Sequence, residues 1–528
     1  MDEQLNILDP VPMDRFQILS KDELITYIHG HQDLFNQVVK QNRRLELQIK
    51  KEQEQSLLLQ EQFLLMRDKL FGRSSERLAA PETVVGADIE GILDPSSESL
   101  TGASDAAQSQ KIKKKRILLP SERYPNAPLV ERDVAFAKAP LCSCCGLLMR
   151  DSGMTEDSEY IEKIPASYRV IREKKHKFNC STCHGDIQTT PALPRIKPGS
   201  AYSDETIIDV GVSKFCDLIP IGRQVKIAER LGFAGLPPQS LIETTHYLAD
   251  FLRPIYGAIK LEAQASKVLY ADETPHRMLE GDEKSHWYFW GFSGAKSAYF
   301  EAHDTRSGDV SIEFLKNSKC KYLMSDVYSG YKRTTTEVNK TRALEKKPLI
   351  KKIYCNAHAR RKFKEALVFS AESQFFIARY QKIYLLETSS KEKPPDEIKE
   401  LRAKMTPIFE EMKAEALRLI CGFSSKSAIV KAIQYFLKNY SELTLFTQSA
   451  LAPIDNNHQE RLLRNPVIGR KTWYGTHSIR GAETTAVLFS IIESCKLNKV
   501  NPRTYLAEVT KLIHASKPAI TPSQLSLN

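Results

Sequence analysis

The stretch KVLYADETPHRML, residues 267–279, decides how the chain is expected to fold around its candidate site. Val268, Leu269 and Tyr270 form a short apolar run that is typical of a buried strand, and Asp272 follows almost at once. Asp, Thr and Pro all favour tight turns, so one interpretation of the acid is a turn that ends the strand. The other is a metal-binding carboxylate on a rigid platform. Taken alone, the stretch favours the turn, and the rest of the chain decides between the two.

The segments after Asp272 continue an α/β pattern. They are predicted to be two aromatic-rich strands, a helix, a strand that ends on Asp326, and a strand that leads into a basic helix, at residues 286–292, 297–303, 308–317, 320–331 and 350–363. Three antiparallel strands, a helix and an acid-terminated strand follow the order of the ribonuclease H-like fold. The first and fourth strands are neighbours in that arrangement, so Asp272 and Asp326 are predicted to meet although 53 residues separate them.

A third acid is expected from a late helix, and the candidate lies in IDNNHQERLLRN, residues 454–465. Asp455 or Asn456 can cap that helix, which places Glu460 about one turn into it. An ordinary surface pair between Glu460 and Arg464, four positions later, is the alternative. In isolation the surface pair is the simpler interpretation.

The ordered set of motifs is more specific than any one of them. The matching stretches cover nearly the whole chain: KLFGRSSER (69–77), the paired cysteines, ADETP (271–275), SDVYSGY (325–331), CNAHARRKF (355–363), DNNHQERLLR (455–464), GRKTW (469–473), GAETTAVLFSIIESCK (481–496) and NPRTYL (501–506). In this order, they make the sequence resemble the DDE transposases of the insertion-sequence family numbered sixty-six. The resemblance implies transposase activity on an α/β, ribonuclease H-like domain, with Asp272, Asp326 and Glu460 as the acidic triad.

The chemistry implied by this resemblance explains why three acids would converge. Cleavage and joining of phosphodiesters use two hard cations about 4 Å apart, which hold the attacking and departing oxygens. Mg²⁺ or Mn²⁺ accepts carboxylate ligands, and metal binding relieves the repulsion between the acids. We therefore expect Asp272 and Asp326 to hold one ion, and Asp272 and Glu460 the second. The sequence contains no Walker-type glycine loop, so no nucleoside triphosphate is expected.

Positive charge is concentrated near the predicted site. Residues 340–366 carry ten Lys and Arg against two Glu, in a chain whose 76 Lys and Arg outnumber its 65 Asp and Glu. Clustered positive charge suits a polyanion such as DNA, and a solvated surface is the alternative. The candidate DNA contacts are His358, Arg360, Arg361, Arg464, Arg470 and Lys471. For His358, a structural role is a close rival to a phosphate contact.

Two cysteine pairs, Cys142 with Cys145 and Cys180 with Cys183, have C-x-x-C spacing. Zn²⁺ prefers four such ligands in a tetrahedron, so the pairs predict a structural zinc ribbon over residues 120–200. Unrelated reduced thiols are the alternative. A closed four-cysteine site has no open position for a substrate, so we expect it to position nucleic acid and not to catalyse.

The N-terminal segment, residues 20–77, has the pattern of a long helix with apolar residues in a heptad repeat. Ile28 and Phe35 fall at position a, and Leu45 falls at position d. Asn42, also at position a, would tend to fix the register and the number of strands. A coiled coil that joins copies of the chain into a homodimer or higher oligomer is predicted, and an amphipathic helix on the chain's own core is the alternative.

The other segments complete the predicted organisation. They are a flexible linker, a helix-turn-helix-like DNA-binding region, a helical insertion into the catalytic domain, and a C-terminal tail, at residues 78–119, 201–265, 364–450 and 497–528. The catalytic domain is accordingly expected to comprise residues 266–363 and 451–496. No role for the insertion is apparent from the sequence.

Composition narrows the class of protein. No run approaches the roughly 18 apolar residues that span a membrane, and the N-terminus has no signal pattern, so a cytoplasmic, nucleoid-associated bacterial protein is expected. The expected partners are DNA at the element ends and in the target, with helper proteins of the same element implied by the resemblance. Two rival hypotheses remain open: a non-enzymatic DNA-binding regulator, and an inactive relic of a transposase.

Overall fold

The computed structural model of the chain describes residues 20–71, 119–125, 128–131, 139–149, 158–162, 166–179, 187–279 and 286–525. The chain divides into two compact units, of which the smaller is Glu76–Ile171 and the larger comprises Met1–Ser75 and Arg172–Asn528. Nearly all of the predicted linker lies outside the described residues, as do Cys180 and Cys183. Within the described ranges, no helix is long and apolar enough to cross a bilayer.

The elements are numbered in chain order. The strands are β1 (Lys177–Asn179), β2 (Ile187–Thr189), β3 (Val268–Arg277), β4 (His286–Ser293), β5 (Ala298–His303), β6 (Tyr322–Ser325) and β7 (Lys351–Tyr354). The helices are α1 (Lys21–Phe71), α2 (Pro120–Arg123), α3 (Asp204–Phe215), α4 (Ile221–Arg230), α5 (Pro238–Phe251), α6 (Arg253–Ala265), α7 (Gly308–Lys316), α8 (Ser329–Leu344), α9 (Asn356–Ala366), α10 (Ser373–Ser389), α11 (Pro395–Ala403), α12 (Thr406–Leu419), α13 (Ala428–Lys438), α14 (Tyr440–Thr444), α15 (Asn457–Trp473), α16 (Ile479–Leu497), α17 (Pro502–His514) and α18 (Pro522–Leu525).

A five-stranded mixed sheet with the order β5-β4-β3-β6-β7 lies at the centre of the larger unit. β3 pairs antiparallel with β4 and parallel with β6, from Val268 opposite Tyr322 to Tyr270 opposite Met324. β5 extends the antiparallel half beside β4, and β7 extends the parallel half beside β6. The prediction that the first and fourth strands are neighbours is therefore confirmed, as is the mixed α/β class.

β3 does not end at Asp272, which corrects the expectation from the sequence. The strand continues to Arg277, because β4 pairs with it residue by residue as far as His286. The parallel partner β6 stops earlier, at Ser325. Asp272 thus lies beyond the last residue of β3 that pairs with β6, in the part of β3 that pairs with β4 alone. The acid and the three residues after it are extended strand, so the turn interpretation is also wrong.

α16 is the central helix of the larger hydrophobic core. Its residues 484–495 are all buried, which is typical of a helix surrounded by other elements. Ser490 and Ser494 accept hydrogen bonds from the backbone amides of Phe300 and Ala298 in the edge strand β5. Because the edge of a sheet presents unpaired backbone groups, these hydroxyls satisfy donors that would otherwise need water.

The predicted helix-turn-helix-like region folds as α3 to α6, of which α3, α5 and α6 share a core with the sheet. Ile221 and Val225 of α4 pack in a small separate cluster. The turn between α4 and α5 contains Gly232 and Gly235, whose φ angles of 83° and 84° suit glycine alone without strain. α5 is largely buried, whereas α4 exposes Arg223, Lys226 and Arg230. The DNA-binding role of the region stays a prediction, and α4 is the helix of this hairpin that offers basic side chains to a partner.

The segment predicted to be a helical insertion contains α10 to α14 and builds a second hydrophobic core. Phe376, Phe409 and Phe436 pack there with Ile353 of β7 and Phe363 of α9. Side chains of the sheet and of the insertion therefore belong to the same core. This segment therefore packs against the sheet and stabilises it.

The segment predicted to be a C-terminal tail is packed against the rest of the larger unit. Tyr505, Leu506 and Val509 of α17 are buried in the same core as α16. The Tyr505 hydroxyl donates a hydrogen bond to the Ile520 carbonyl at 2.6 Å. The apolar residues recur on one helical face, and such a face needs a core to cover it.

The long N-terminal helix predicted from the heptad repeat is present as α1. Ile28, Phe35 and Leu45 of the predicted seam are exposed in the single chain. These three residues therefore do not pack on the chain's own core, as the alternative required. Pairing of the seam with another copy stays a prediction.

Cys142 and Cys145 lie in a tight loop of the smaller unit. Gly146, with a φ of 72°, donates a hydrogen bond from its amide to the Cys142 carbonyl at 2.9 Å. Hydrogen bonds from the backbone of Cys145 and Cys144 lower the pKa of the Cys142 thiol. A lower pKa favours the thiolate, which is the form that binds zinc. Because the second cysteine pair lies outside the described residues, the zinc site stays a prediction.

Candidate active site

Asp272 and Asp326 come from neighbouring parallel strands. Asp272 lies two residues beyond Tyr270, the last residue of β3 that pairs with β6. Asp326 directly follows Ser325, the last residue of β6. Neighbouring parallel strands end at the same edge of a sheet, so the structure brings these two predicted acids to one edge.

The carboxyl group of Asp272 carries the strongest electrostatic signal of the site. Burial raises its pKa well above the usual value, and the negative charges of Glu273, Asp326 and Glu460 raise the pKa further. Coulomb effects of this kind require short distances. Acids from two distant parts of the chain, Asp326 and Glu460, therefore lie close enough to Asp272 to raise the pKa of its carboxyl group.

The residues after Asp326 fix its orientation. The amide of Tyr328 donates a hydrogen bond to Asp326 Oδ1 at 3.0 Å, and the Ser325 hydroxyl donates to the Asp326 carbonyl at 2.9 Å. α8 begins immediately afterwards, at Ser329. The carboxylate is thus held in a short turn between β6 and α8 and does not sit on a flexible loop.

Glu460 is placed by the start of α15. Asn456 precedes this helix, and its Nδ2 donates a hydrogen bond to the Ala271 carbonyl at 3.2 Å. Ala271 is the residue before Asp272, so the contact ties the helix start to the strand beside the first acid. The sequence predicted Asn456 as a possible cap, but its side chain bonds β3 instead of the helix. Glu460 follows in the first turn.

A glycine in β4 makes room for this helix start. Gly291 pairs with Asp272 across the sheet, and a Cβ at position 291 would collide with the side-chain amide of Gln459. Gln459 is fully buried, and its Oε1 accepts a hydrogen bond from the Ser293 hydroxyl at 2.5 Å. The first turn of α15 therefore packs against the sheet next to Asp272.

His358 contacts Glu460, although the sequence favoured a phosphate contact for this histidine. Its Nδ1 lies 3.7 Å from Glu460 Oε1. Together with Cys355 Sγ, the two side chains offer three candidate ligand atoms within 4.8 Å of one another. The C-x-x-H spacing is visible in the sequence, but Glu460, about a hundred residues later, is the third member that spacing alone does not reveal.

Glu273, the acid beside Asp272, has a buried side chain. Its side chain is only 2% exposed. Arg306 donates from Nε and Nη2 to Oε1 at 2.9 and 2.7 Å, and the Tyr331 hydroxyl donates to Oε2 at 2.6 Å. Arg306 also stacks 4.1 Å from the centre of the Tyr328 ring. Burial raises the pKa of Glu273, and the hydrogen bonds from Tyr331 and Arg306 oppose that rise. This network braces the strand that carries Asp272.

The basic residues predicted to contact DNA differ in exposure. Arg464 and Lys471 are exposed on α15, the helix that carries Glu460. Arg470 leans on β3, with its Nη1 3.4 Å from Thr274 Oγ1, and burial lowers the pKa of its guanidinium. Two further candidates are partly buried on α9: Arg360 and Arg361.

Part of the basic run has a structural role. Arg342 is buried and donates hydrogen bonds to the carbonyls of Ser318, Cys320 and Pro348. It joins the end of α8 to the loops that precede β6 and β7. This arginine stabilises the sheet edge, so the clustering of charge in the sequence overstates the basic surface.

The segment before α15 is held by the helical insertion. Arg402 of α11 donates from Nη1 to the carbonyls of Ser449 and Ala452 at 2.5 and 2.6 Å. Glu387 of α10 accepts from Nε and Nη2 of the same guanidinium at 3.0 and 2.5 Å. Because these contacts lie shortly before α15, the insertion helps to position Glu460. The sequence did not indicate this role.

The donor set fits a hard divalent cation. Three carboxylates supply oxygen ligands of the kind that Mg²⁺ and Mn²⁺ accept. Glu460 Oε1 is buried and has no hydrogen-bond partner, so it is available to an ion. A cation would also offset the charges that raise the pKa of Asp272. The arrangement can therefore hold divalent metal at the edge of the sheet.

Comparison with known proteins places the sequence among transposases. The family described as Transposase IS66 family matches residues 199–484, which is more than half of the chain and includes all three acids. The uncharacterized protein y4hP of Sinorhizobium fredii is 26% identical over 470 residues, covering 84% of this chain and 83% of the relative. The uncharacterized protein y4jD of the same organism is 26% identical over 396 residues, covering 72% and 76%.

Proposed function

The chain belongs to the IS66 family of transposases, and from that membership we propose that it cleaves DNA at the ends of a mobile element and joins the freed ends to target DNA. The observation that carries the proposal is that Asp272 on β3 and Asp326 directly after β6 lie at one edge of the sheet, next to the first turn of α15 with Glu460. The raised pKa of the buried Asp272 is consistent with this arrangement. Acids that converge from a strand, a strand end and a helix start suit metal-dependent phosphodiester chemistry.

We also propose that the catalytic domain, residues 266–363 and 451–496, is ribonuclease H-like. The strand order β5-β4-β3-β6-β7, with three antiparallel strands and two parallel additions, supports this assignment. Asp272 on the central strand and Asp326 after its parallel neighbour then occupy the edge where the third acid arrives on α15.

The three proposed acids would together hold two metal ions. Asp272 and Asp326 would hold one Mg²⁺ or Mn²⁺ ion, and Asp272 and Glu460 would hold the second. When bound, such ions supply positive charge to the attacking and departing oxygens. At the element end, water attacks phosphorus, the bond to the 3′ oxygen breaks, and that oxygen is protonated. The freed 3′ hydroxyl then loses its proton as it attacks a target phosphodiester, whose own 3′ oxygen departs.

The chain's own side chains hold the DNA during these steps. Exposed Arg464 and Lys471 lie on the same helix as Glu460, so a phosphate backbone that they bind passes close to the acids. Arg360 and Arg361 on α9 are further proposed contacts. Contacts of this kind fix the register of the duplex and carry no sequence information.

Other parts of the chain are assigned supporting roles. We propose that the four predicted cysteine ligands hold structural Zn²⁺, that α1 pairs with α1 of a second copy, and that the protein works at the nucleoid with helper proteins of its element. The lowered pKa of the Cys142 thiol and the exposed seam of α1 support the first two roles. The helper proteins rest on family membership alone.

The test is the substitution Asp326→Asn in the full chain, assayed on duplex DNA that carries the ends of the element. The variant should lose at least a thousandfold in cleavage and retain binding, because it keeps the shape of the side chain and removes a charged ligand. Glu313→Gln serves as the control, since Glu313 is an exposed acid that pairs with Lys316. Unchanged cleavage by Asp326→Asn would remove Asp326 from the mechanism.

The same assay separates the rival functions. A DNA-binding regulator would bind the element ends and leave them intact in the presence of Mg²⁺ or Mn²⁺. An inactive relic would also fail to cleave, and would differ from a regulator by binding element ends no better than unrelated DNA. Cleavage by the natural chain excludes both.

A further inference from the structure

Glu460 has a neighbour that the acidic triad does not explain. His358 Nδ1 and Glu460 Oε1 face each other at 3.7 Å, and both atoms are buried without a hydrogen-bond partner. A buried polar atom that lacks a partner is energetically unfavourable. Two such atoms side by side indicate that something lies between them when the protein works.

The distance favours an ion over a direct contact. A separation of 3.7 Å is too long for a hydrogen bond between nitrogen and oxygen. Two neighbouring ligand atoms of one ion, each about 2.0 to 2.2 Å from it, lie roughly 2.8 to 3.6 Å apart. The pair is therefore close to the spacing of two ligands of one cation.

Cys355 is the third member of this cluster, but it is already used. Its Sγ is fully buried and accepts a hydrogen bond from the Asn456 amide at 3.2 Å. A thiol in this state is a poor metal ligand. It serves instead to join the start of α9 to the residue before α15.

The two helix starts are held together before any ion binds. The Asn356 amide donates a hydrogen bond to the Ile454 carbonyl at 3.2 Å, and Asn356 Nδ2 donates to the same carbonyl at 3.1 Å. His358 and Glu460 each lie a few residues beyond this junction. The backbone thus fixes their relative position, as a ligand pair requires.

We propose that His358 is a direct ligand, through Nδ1, of the divalent ion held by Glu460. This inference rests on the proposed function and adds one nitrogen to a site otherwise made of carboxylate oxygens. Imidazole suits transition-metal ions, whereas Mg²⁺ prefers oxygen. The site should accordingly prefer Mn²⁺ to Mg²⁺ more strongly than three carboxylates alone would.

The test is pulsed electron paramagnetic resonance on the full chain loaded with Mn²⁺, without DNA. Bound Mn²⁺ should show a ¹⁴N coupling from a directly ligated imidazole. His358→Ala and His358→Gln should lose this coupling and bind Mn²⁺ about tenfold more weakly. The amount of Mg²⁺ needed to displace Mn²⁺ should fall in the same variants. Glu460→Gln should weaken binding of the same ion.

His458→Ala is the matched control. His458 lies two residues before Glu460, but its Nε2 is 3.0 Å from the Gly294 carbonyl, and its ring packs on Tyr270. This variant should keep the ¹⁴N coupling. Mn²⁺ that binds the natural chain without ¹⁴N coupling, or a coupling that survives in both His358 variants, overturns the inference and leaves the proposed function intact. If no Mn²⁺ binding depends on Asp326 and Glu460, both the inference and the proposed function are overturned.

Discussion

His276, four positions beyond Asp272 on β3, is a buried histidine that folding keeps neutral. Burial lowers its pKa from 6.5 to about 4, and its Nε2 lies 2.9 Å from Thr476 Oγ1. The unfolded chain binds a proton at this residue near pH 6.5, well before the folded chain does. The stability that depends on neutral His276 is therefore complete above about pH 6.5 and is lost as the pH falls toward 4.

Substitution of His276 by Gln should flatten this acid sensitivity. Between pH 7 and pH 4.5, the unfolding free energy of the natural chain should fall by about 2 to 3 kcal/mol more than that of the variant, because Gln has no charge to gain. Urea unfolding at a series of pH values measures the difference. The exposed His477→Gln variant is the control and should follow the natural chain. Parallel pH profiles for the natural chain and His276→Gln would contradict the assignment.

The residues of the site differ in how far the sequence could predict them. Asp326 follows a short apolar strand directly, and such a boundary is visible in the sequence. The hydrogen bonds that hold Glu273 are not visible in the sequence. Arg306 and Tyr331 lie 33 and 58 positions away, and no local pattern marks their contact with Glu273. The pairing of His358 with Glu460 escapes the sequence for the same reason.

At the scale of elements, hydrophobic patterns predicted β4, β5 and α7 within one residue. β4, predicted at 286–292, is His286–Ser293, and α7, predicted at 308–317, is Gly308–Lys316. The end of β3 was missed because pairing with β4, and not local preference, keeps residues 273–277 extended. The role of the insertion was missed because it depends on one arginine that reaches a distant loop.

That arginine gives a prediction for the insertion. Arg402 and Glu387 are 7% and 17% exposed, and Arg402 also holds the carbonyls of Ser449 and Ala452. Arg402→Ala should lower the unfolding free energy by about 3 to 5 kcal/mol, because it leaves a buried carboxylate and two carbonyls without their partner. Urea unfolding monitored by circular dichroism measures the loss.

A matched surface pair provides the control for this substitution. Arg418 and Glu415 form a similar ion pair on α12, but Arg418 is 67% exposed. Arg418→Ala should therefore cost less than about 1 kcal/mol. Because the Arg402 contacts precede Glu460, the milder Arg402→Lys should weaken Mn²⁺ binding while the chain stays folded. Equal losses of stability for Arg402→Ala and Arg418→Ala would show that the buried contacts of Arg402 contribute no more than an exposed ion pair.

At the scale of the whole molecule, the proposed function leads to an expectation about the number of copies that act together. The parts of the chain that the structure describes contain one set of Asp272, Asp326 and Glu460, and a mobile element has two ends. Two chains that act together would supply a site for each end. α1 is the element that fits this role, because Ile28, Phe35 and Leu45 of its predicted seam are exposed in the single chain.

Two leucines of α1 separate a coiled coil from an unspecific apolar helix. Leu45 lies at heptad position d and is 50% exposed, while Leu47 lies at position f, on the outer face, and is 67% exposed. Leu45→Asp places a charge in the predicted seam and should reduce the mass in solution from that of the oligomer to that of a single chain. Leu47→Asp adds the same charge outside the seam and should leave the mass unchanged. Sedimentation equilibrium measures both, and the same mass for the two variants would exclude this seam as the contact between copies.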